Sequence, residues 1–255
     1  MSPPTPEDTR RAVRARRATS FGALADTYDR VRPGYPAEAV EWLLPEDATH
    51  VLDLGAGTGA LTRTLVTLGL EVIAVEPDPK MRAVAAERVP SADLRAGRAE
   101  EIPVGDGEVD AVVGGQMWHW VDLEPAAKEV ARVLRPGGVL GLLWNLRDER
   151  VAWMAELGAI FGGDDHHIGR GRVILPKRAP FTDLSSAEFT FSQELATDDL
   201  VGFVASRSNV QVLEDEERAS LLERVAVFSR THPDLAGRST IEVPYVTSCW
   251  RATRT

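Results

Sequence analysis

The chain has 255 residues but a single cysteine, Cys249, and only three lysines, Lys80, Lys128 and Lys177. One thiol can make neither an intramolecular disulfide nor a multi-thiolate metal site, which fits a reducing compartment and makes the cytoplasm the expected location. Cys249 itself reads as a small core residue. Long apolar runs are also missing: the stretch at 139–144 is far short of the roughly 20 residues that a membrane-crossing helix needs. Residues 1–20 carry Arg10, Arg11, Arg14, Arg16 and Arg17 with no apolar segment, and Glu7 and Asp8 oppose a transit peptide, so a solvated basic arm is expected. Positive charge is scarce overall. With 29 Lys and Arg against 39 Asp and Glu, the net charge is −10. That balance opposes a nucleic-acid partner, and a small diffusible molecule is the expected one. His166 and His167 sit in an acidic stretch with Asp164 and Asp165 and read as exposed residues, so no metal site is expected.

What is present is an alternation of strand and helix signals that builds a mostly parallel sheet. Tyr35 and Pro36 open a helix through Val40, Trp42, Leu43 and Leu44, with proline near the start, where its missing N–H is harmless. Strands are predicted at 50–54, 71–75, 92–96, 109–113 and 139–144, with helices after the first, second and fourth of them. Leu61, Leu65 and Leu68, for example, recur at helical spacing. Arg135-Pro136-Gly137-Gly138 reads as a turn into the fifth strand. The alternation loosens after Asn145. Helices are predicted at 151–161, 198–205 and 215–228, with strands at 188–195 and 240–251 and a low-periodicity stretch at 162–172 that reads as a loop or lid. Pro244 within the last strand suggests an edge position or a bulge. The resulting organisation is a basic arm at 1–20, a ligand-binding core at 21–145, a cap with late sheet elements at 146–239, and a final strand at 240–255.

The chemistry begins at Gly55-Ala56-Gly57-Thr58-Gly59, where a buried strand hands over to a helix and backbone must approach a ligand closely. Gly55-x-Gly57-x-x-Ala60 also matches a dinucleotide-binding fingerprint. Glu76 ends the next strand about 20 residues on, where a carboxylate can accept hydrogen bonds from both hydroxyls of a ribose. These features alone leave a nicotinamide-dependent oxidoreductase open, although no Tyr-x-x-x-Lys pair is present.

The wider pattern is more specific. Val51-Leu52-Asp53-Leu54-Gly55-Ala56-Gly57-Thr58-Gly59 resembles motif I of the class I S-adenosylmethionine-dependent methyltransferases. Glu76-Pro77-Asp78 is similar to the family's acidic ribose motif, Gly97-Arg98-Ala99-Glu100-Glu101-Ile102-Pro103 to its adenine-binding segment, and Leu134-Arg135-Pro136-Gly137-Gly138 to its turn before the fifth strand. Residues 21–36 and Gln116-Met117-Trp118-His119-Trp120 resemble a subgroup that includes trans-aconitate-type methyltransferases. The fold this implies is Rossmann-like α/β, with a central, mostly parallel seven-stranded sheet, helices on both faces and a partly helical cap.

Carried over residue by residue, the resemblance puts Asp53, Gly55, Ala56 and Gly57 beside the methionine portion of S-adenosylmethionine and Glu76 on its ribose. Pro77 and Met81 would flank the adenine, with Ala99 and Glu100 hydrogen-bonding it. Gln116 would lie near the amino-acid end, and Tyr28 or Arg32 would close over the carboxylate. Methyl transfer to a small molecule needs alignment above all, and needs a base only if the acceptor must lose a proton. His119 is the natural candidate, since its ordinary pKa lies near neutrality. Of Trp118 and Trp120, one is expected in the core and the other on a substrate pocket. Arg147, Arg170, Arg172, Arg178 and Arg207 could pair with an anionic acceptor, Arg147 and Arg207 foremost. The acceptor atom is expected to be an oxygen, of a carboxylate or a hydroxyl. A protein that binds the same cofactor without methylating remains the alternative.

Overall fold

A computed structural model of the chain describes residues 33–162 and 173–255. The basic arm, Tyr28, Arg32, His166, His167, Arg170 and Arg172 lie outside the described residues.

Helix α1 (Ala37–Leu43) buries Ala39, Val40 and Leu43, one face at helical spacing, and Pro36 stands at its N-cap with an extended backbone. Strand β1 (His50–Leu54) passes through the glycine loop into α2 (Ala60–Thr67). Next come β2 (Glu71–Val75) and α3 (Pro79–Arg88). Helix α3 has proline in its first turn, and its Asp78 N-cap accepts from Lys80 N–H at 2.8 Å and Met81 N–H at 3.2 Å. Then follow β3 (Asp93–Arg95), β4 (Val109–Gly115), a 3₁₀ turn at Trp118–Trp120, α4 (Leu123–Val133) and β5 (Leu134–Arg147). The later elements are α5 (Ala152–Phe161), β6 (Ser185–Ala196), α6 (Leu200–Ala205), α7 (Ser208–Gln211), α8 (Asp215–Thr231) and β7 (Thr240–Thr253).

The seven strands form one sheet in the order β3-β2-β1-β4-β5-β7-β6. Strands β1 to β5 pair in parallel, and β7 is antiparallel to both β5 and β6. The winding reverses between β1 and β4, which opens a crevice at their carboxyl ends. Alternation along β1 feeds both faces. Val51 joins Leu61, Leu65, Val72, Ala111 and Val113 under α1 and α2, while Leu52 and Leu54 join Val112, Leu140, Ala126 and Val130 under α4. Cys249 lies in the first of these cores, and burial pushes its thiol up to about 12, so it is inert at neutral pH.

A third core follows from the register. Strand β5 stops at Arg147 opposite Tyr245, whereas β6 and β7 stay paired as far as Ala196 and Thr240. The β6–β7 pair therefore overhangs the carboxyl edge of the parallel strands. Leu195, Ile241 and Val243 of the overhang, with Tyr245 at its base, are covered by Trp153 and Leu157 of α5, Phe203 of α6, and Leu221 and Val225 of α8. Among the described residues, no helix is long and apolar enough to cross a membrane.

Two local expectations are corrected. The turn at 135–138 lies inside β5: Val109 pairs with Leu134 and Ala111 with Val139, so the extra residues loop out as an irregularity, with Gly137 at φ 80°. Pro244 is on neither an edge strand nor a bulge. Strand β7 is interior; β5 ends one residue before this point, so Pro244 pairs in the ladder with Ser192 of β6 while its carbonyl accepts from Asp148 N–H at 2.9 Å on the other side.

At the opposite edge Asp110 ties β4 to the start of β1. Its Oδ2 accepts from Thr49 N–H at 2.9 Å and His50 N–H at 2.8 Å, and Arg135 pairs with Oδ1. Burial alone would raise this carboxyl, but these N–H groups and the Arg135 charge outweigh it and hold it below the ordinary aspartate value. A carboxylate depressed in the folded state adds stability above its unfolded pKa and loses it as pH falls. Asp110→Asn is therefore expected to cost roughly 1–3 kcal/mol at pH 7, with the gap narrowing toward pH 3 in denaturant titrations. A pH-independent gap would contradict this assignment.

Candidate active site

The chemistry-bearing residues gather where the parallel strands end. Asp53 shares the Val51 face of β1, so its carboxylate turns toward α2, where Thr62 Oγ1 donates to Oδ2 at 2.6 Å. Asp53 is 1% exposed, and its buried Oδ1 has no hydrogen-bond partner among the described residues. Glu76 follows β2 directly and is 7% exposed. Its Oε2 accepts from Gly57 N–H at 2.9 Å and its Oε1 from Asp78 N–H at 2.8 Å. One carboxylate thus fixes both the glycine loop and the entry to α3. Burial pushes the Asp53 carboxyl up to about 7; the Thr62 hydroxyl opposes the rise and the neighbouring Glu76 charge adds to it. Burial likewise raises Glu76, more than the Asp78 and Gly57 N–H groups lower it.

The three loop glycines all lie in the left-handed region, but for different reasons. A Cβ on Gly55 would meet Met117 Cβ at 3.0 Å, and one on Gly59 would meet Val89 Cγ2 at 3.2 Å. Those two permit the protein's own packing. Gly57, at φ +58°, has nothing within 4 Å of that position. Its open side lies beside the buried carboxylates of Glu76, which binds the Gly57 N–H, and of Asp53, whose Oδ1 is unsatisfied among the described residues. Such a pair suits a ligand that carries positive charge and hydroxyl donors, and S-adenosylmethionine fits that description.

Across the switch point, Gln116 adopts φ +58°, unusual for a residue with a side chain. It is held by its N–H to Leu143 O at 2.9 Å and by Nε2 to Asn145 O at 3.2 Å. Asn145 was not anticipated. Its Nδ2 donates to Gly34 O at 2.9 Å and its Oδ1 accepts from Thr247 Oγ1 at 2.7 Å, tying the segment before α1 to β5 and β7. Tyr35, beside that tether, lies on Gly115: a Cβ there would fall 2.4 Å from the Tyr35 hydroxyl. The sequence signals for these contacts were a polar residue ending an apolar strand and a glycine pair ending another.

His119 and Trp120 follow in the 3₁₀ turn, partly exposed, with ring centroids 4.6 Å apart; Trp144 lies 6.5 Å from His119. Trp118 is the core member of the pair: it is 3% exposed and donates through Nε1 to Ile174 O at 3.3 Å. Glu100 is also engaged structurally: Oε1 accepts from Asp122 N–H at 2.9 Å, at the start of α4, and Oε2 lies 3.4 Å from Arg98. Ala56, Met81 and Ala99 are buried near the strand ends, and Pro77 is exposed beside Glu76. Arg147 is buried, not open to solvent. It is 1% exposed, with Glu149 at 3.5 Å and its guanidinium 4.5 Å from the centre of the Phe161 ring, because β5 carries it into the third core. Arg207 is partly exposed, 5.8 Å from the Phe203 ring. Arg178 lines a cavity of about 490 Å³ with Lys128 and Arg254 at the amino edge of the sheet, away from these residues.

Asp53 gives a signed expectation. An acid whose folded pKa is raised binds its proton more tightly when folded, so stability falls as pH climbs from about 4 to about 7. Asp53→Asn removes that decline. At pH 8 the variant should be more stable than the parent by about 1–4 kcal/mol, with the advantage fading toward pH 4. Parallel stability curves would show that the carboxylate is not held dry.

Comparison with known proteins agrees with this geometry. Residues 52–142 match the family model described as a methyltransferase domain. An uncharacterized methyltransferase of Mycobacterium tuberculosis is 49% identical over 92% of this chain and 95% of its own length. Another, from Schizosaccharomyces pombe, is 34% identical over 82% and 86%. A candidate type II methyltransferase from Anaeromyxobacter dehalogenans shares the fold with a TM-score of 0.66 at 24% identity, covering 88% of this chain and 97% of that one. The strand order, the glycine loop with its two buried carboxylates and these relatives together mean that the chain belongs to the class I S-adenosylmethionine-dependent methyltransferases.

Proposed function

We propose that the protein methylates an oxygen of a small-molecule acceptor, a hydroxyl that gives its proton to His119. The observation that carries this reading is the position of His119 directly after β4, at the same carboxyl edge as Asp53 and one strand away. The bound cofactor supplies a methyl group on a positively charged sulfur, open to displacement by a nucleophile. Asp53 and Glu76 accept hydrogen bonds from its polar groups, and the bare Gly57 backbone lets it approach. Gln116 faces its amino-acid end, and Met81, Pro77 and Ala99 flank its base. Holding donor and acceptor in line supplies roughly 7–11 kcal/mol in well-oriented reactions, so most of what these residues do is positioning. Trp120 walls the acceptor side, and the helices on the β6–β7 overhang, within residues 146–239, cap it and exclude water.

A carboxylate acceptor is the second reading, favoured by the resemblance to trans-aconitate-type enzymes and by Arg207, which is partly exposed. Its other support is weaker, since Arg147 is packed against Phe161 and Glu149, and Arg178 lies at the far edge of the sheet. A carboxylate is already deprotonated at neutral pH and needs no base. The two readings therefore separate on one variant. With methyl-labelled S-adenosylmethionine and a metabolite extract, mass spectrometry should find the label on oxygen. His119→Ala should then lower turnover on the order of 10²–10⁴-fold and remove an inflection near the histidine pKa. A loss of only a few fold favours the carboxylate, and a label on nitrogen, carbon or sulfur overturns both.

A further inference from the structure

The two edges of the sheet are treated differently. Strand β3 is three residues long and closed by an Arg95–Asp93 ion pair at 2.7 Å, which is how edges are commonly blunted. Strand β6, at the other edge, runs for twelve residues, Ser185–Ala196, in unbroken register with β7. It has no proline, no lysine and no bulge. Among the described residues its backbone makes no hydrogen bond to anything but β7, so one side of the ladder is open along its length.

The geometry points to a second copy of this chain as the occupant of that edge, added antiparallel about a two-fold axis at Thr190. The side-chain pattern is self-complementary in that register. Phe189 would stand opposite Phe191 of the other copy, Ala187 opposite Gln193, Glu188 opposite Ser192, and Ser186 opposite Glu194, with Thr190 facing its own equivalent. Aromatic and threonine cross-strand pairs stabilise a ladder, and like charges directly opposed weaken it. Moving the axis to Phe191 sets Glu188 against Glu194, and moving it to Phe189 shortens the ladder. Phe189 and Phe191 are only half-buried, against Trp42 at 6.4 Å and Tyr245 at 5.2 Å, so each keeps a rim that the second copy would cover. A two-fold pairing is closed and makes a dimer of one fourteen-stranded sheet rather than a fibre.

Light scattering after size exclusion, run on the full chain in 0.15 M salt at tens of micromolar, tests this. The parent should elute at twice the 27.8 kDa chain mass. Thr190→Lys sets two ammonium groups against each other at the axis on an exposed face, and should give a monomer with unchanged circular dichroism and melting. Hydrogen exchange should show β6 amides protected in the parent and about tenfold or more faster in the variant. A monomeric parent overturns the proposal. A dimer that survives Thr190→Lys places the interface elsewhere and overturns it equally.

Discussion

Two carboxylates kept out of water at the ends of neighbouring strands organise this molecule. Glu76 holds Gly57 and Asp78 by their N–H groups, so the glycine loop and the start of α3 are positioned by a single side chain. Asp53, on the adjoining strand and fixed by Thr62, is buried with one oxygen unsatisfied among the described residues. Removing carboxylates from water is unfavourable, and the raised pKa of both is the mark of that cost. A fold keeps such strain where a ligand relieves it. The parallel half of the sheet, with its switch point between β1 and β4, delivers both groups to one crevice.

The antiparallel half has a different task. Because β5 ends before β6 and β7 do, the last two strands carry a separate apolar core past the crevice edge. The segment before α1 is drawn to the same edge by Asn145, which reaches Gly34 and Thr247 at once. The glycine-loop crevice and the third core are thus built from different parts of the chain, joined through β5.

Much of the parallel half was legible because its signals are local. Apolar runs, the glycines of 55–59 and Glu76 lie within about 25 residues, and the element order follows from periodicity. Partnerships between distant residues were not. Asn145 and Thr247 meet across 102 positions, and nothing in either neighbourhood announces the pair. The glycines looked equivalent in sequence, yet only Gly57 faces open space, since Met117 and Val89 occupy the other two sides. The burial of Arg147 was not legible either, because it follows from how far β5 extends. Glu100 and Trp118 match the family motif and still make contacts within the protein, to Asp122 and Ile174.

The central claim is that burial raises the Asp53 carboxyl to about 7 and that a cationic ligand beside it would lower it again. Calorimetry of S-adenosylmethionine binding in two buffers of different ionisation heat, at pH 6 and pH 8, measures the protons exchanged. The account predicts release of most of one proton at pH 6 and little at pH 8, with the pH 6 release lost in Asp53→Asn. Binding heats that do not depend on the buffer at pH 6 would contradict it.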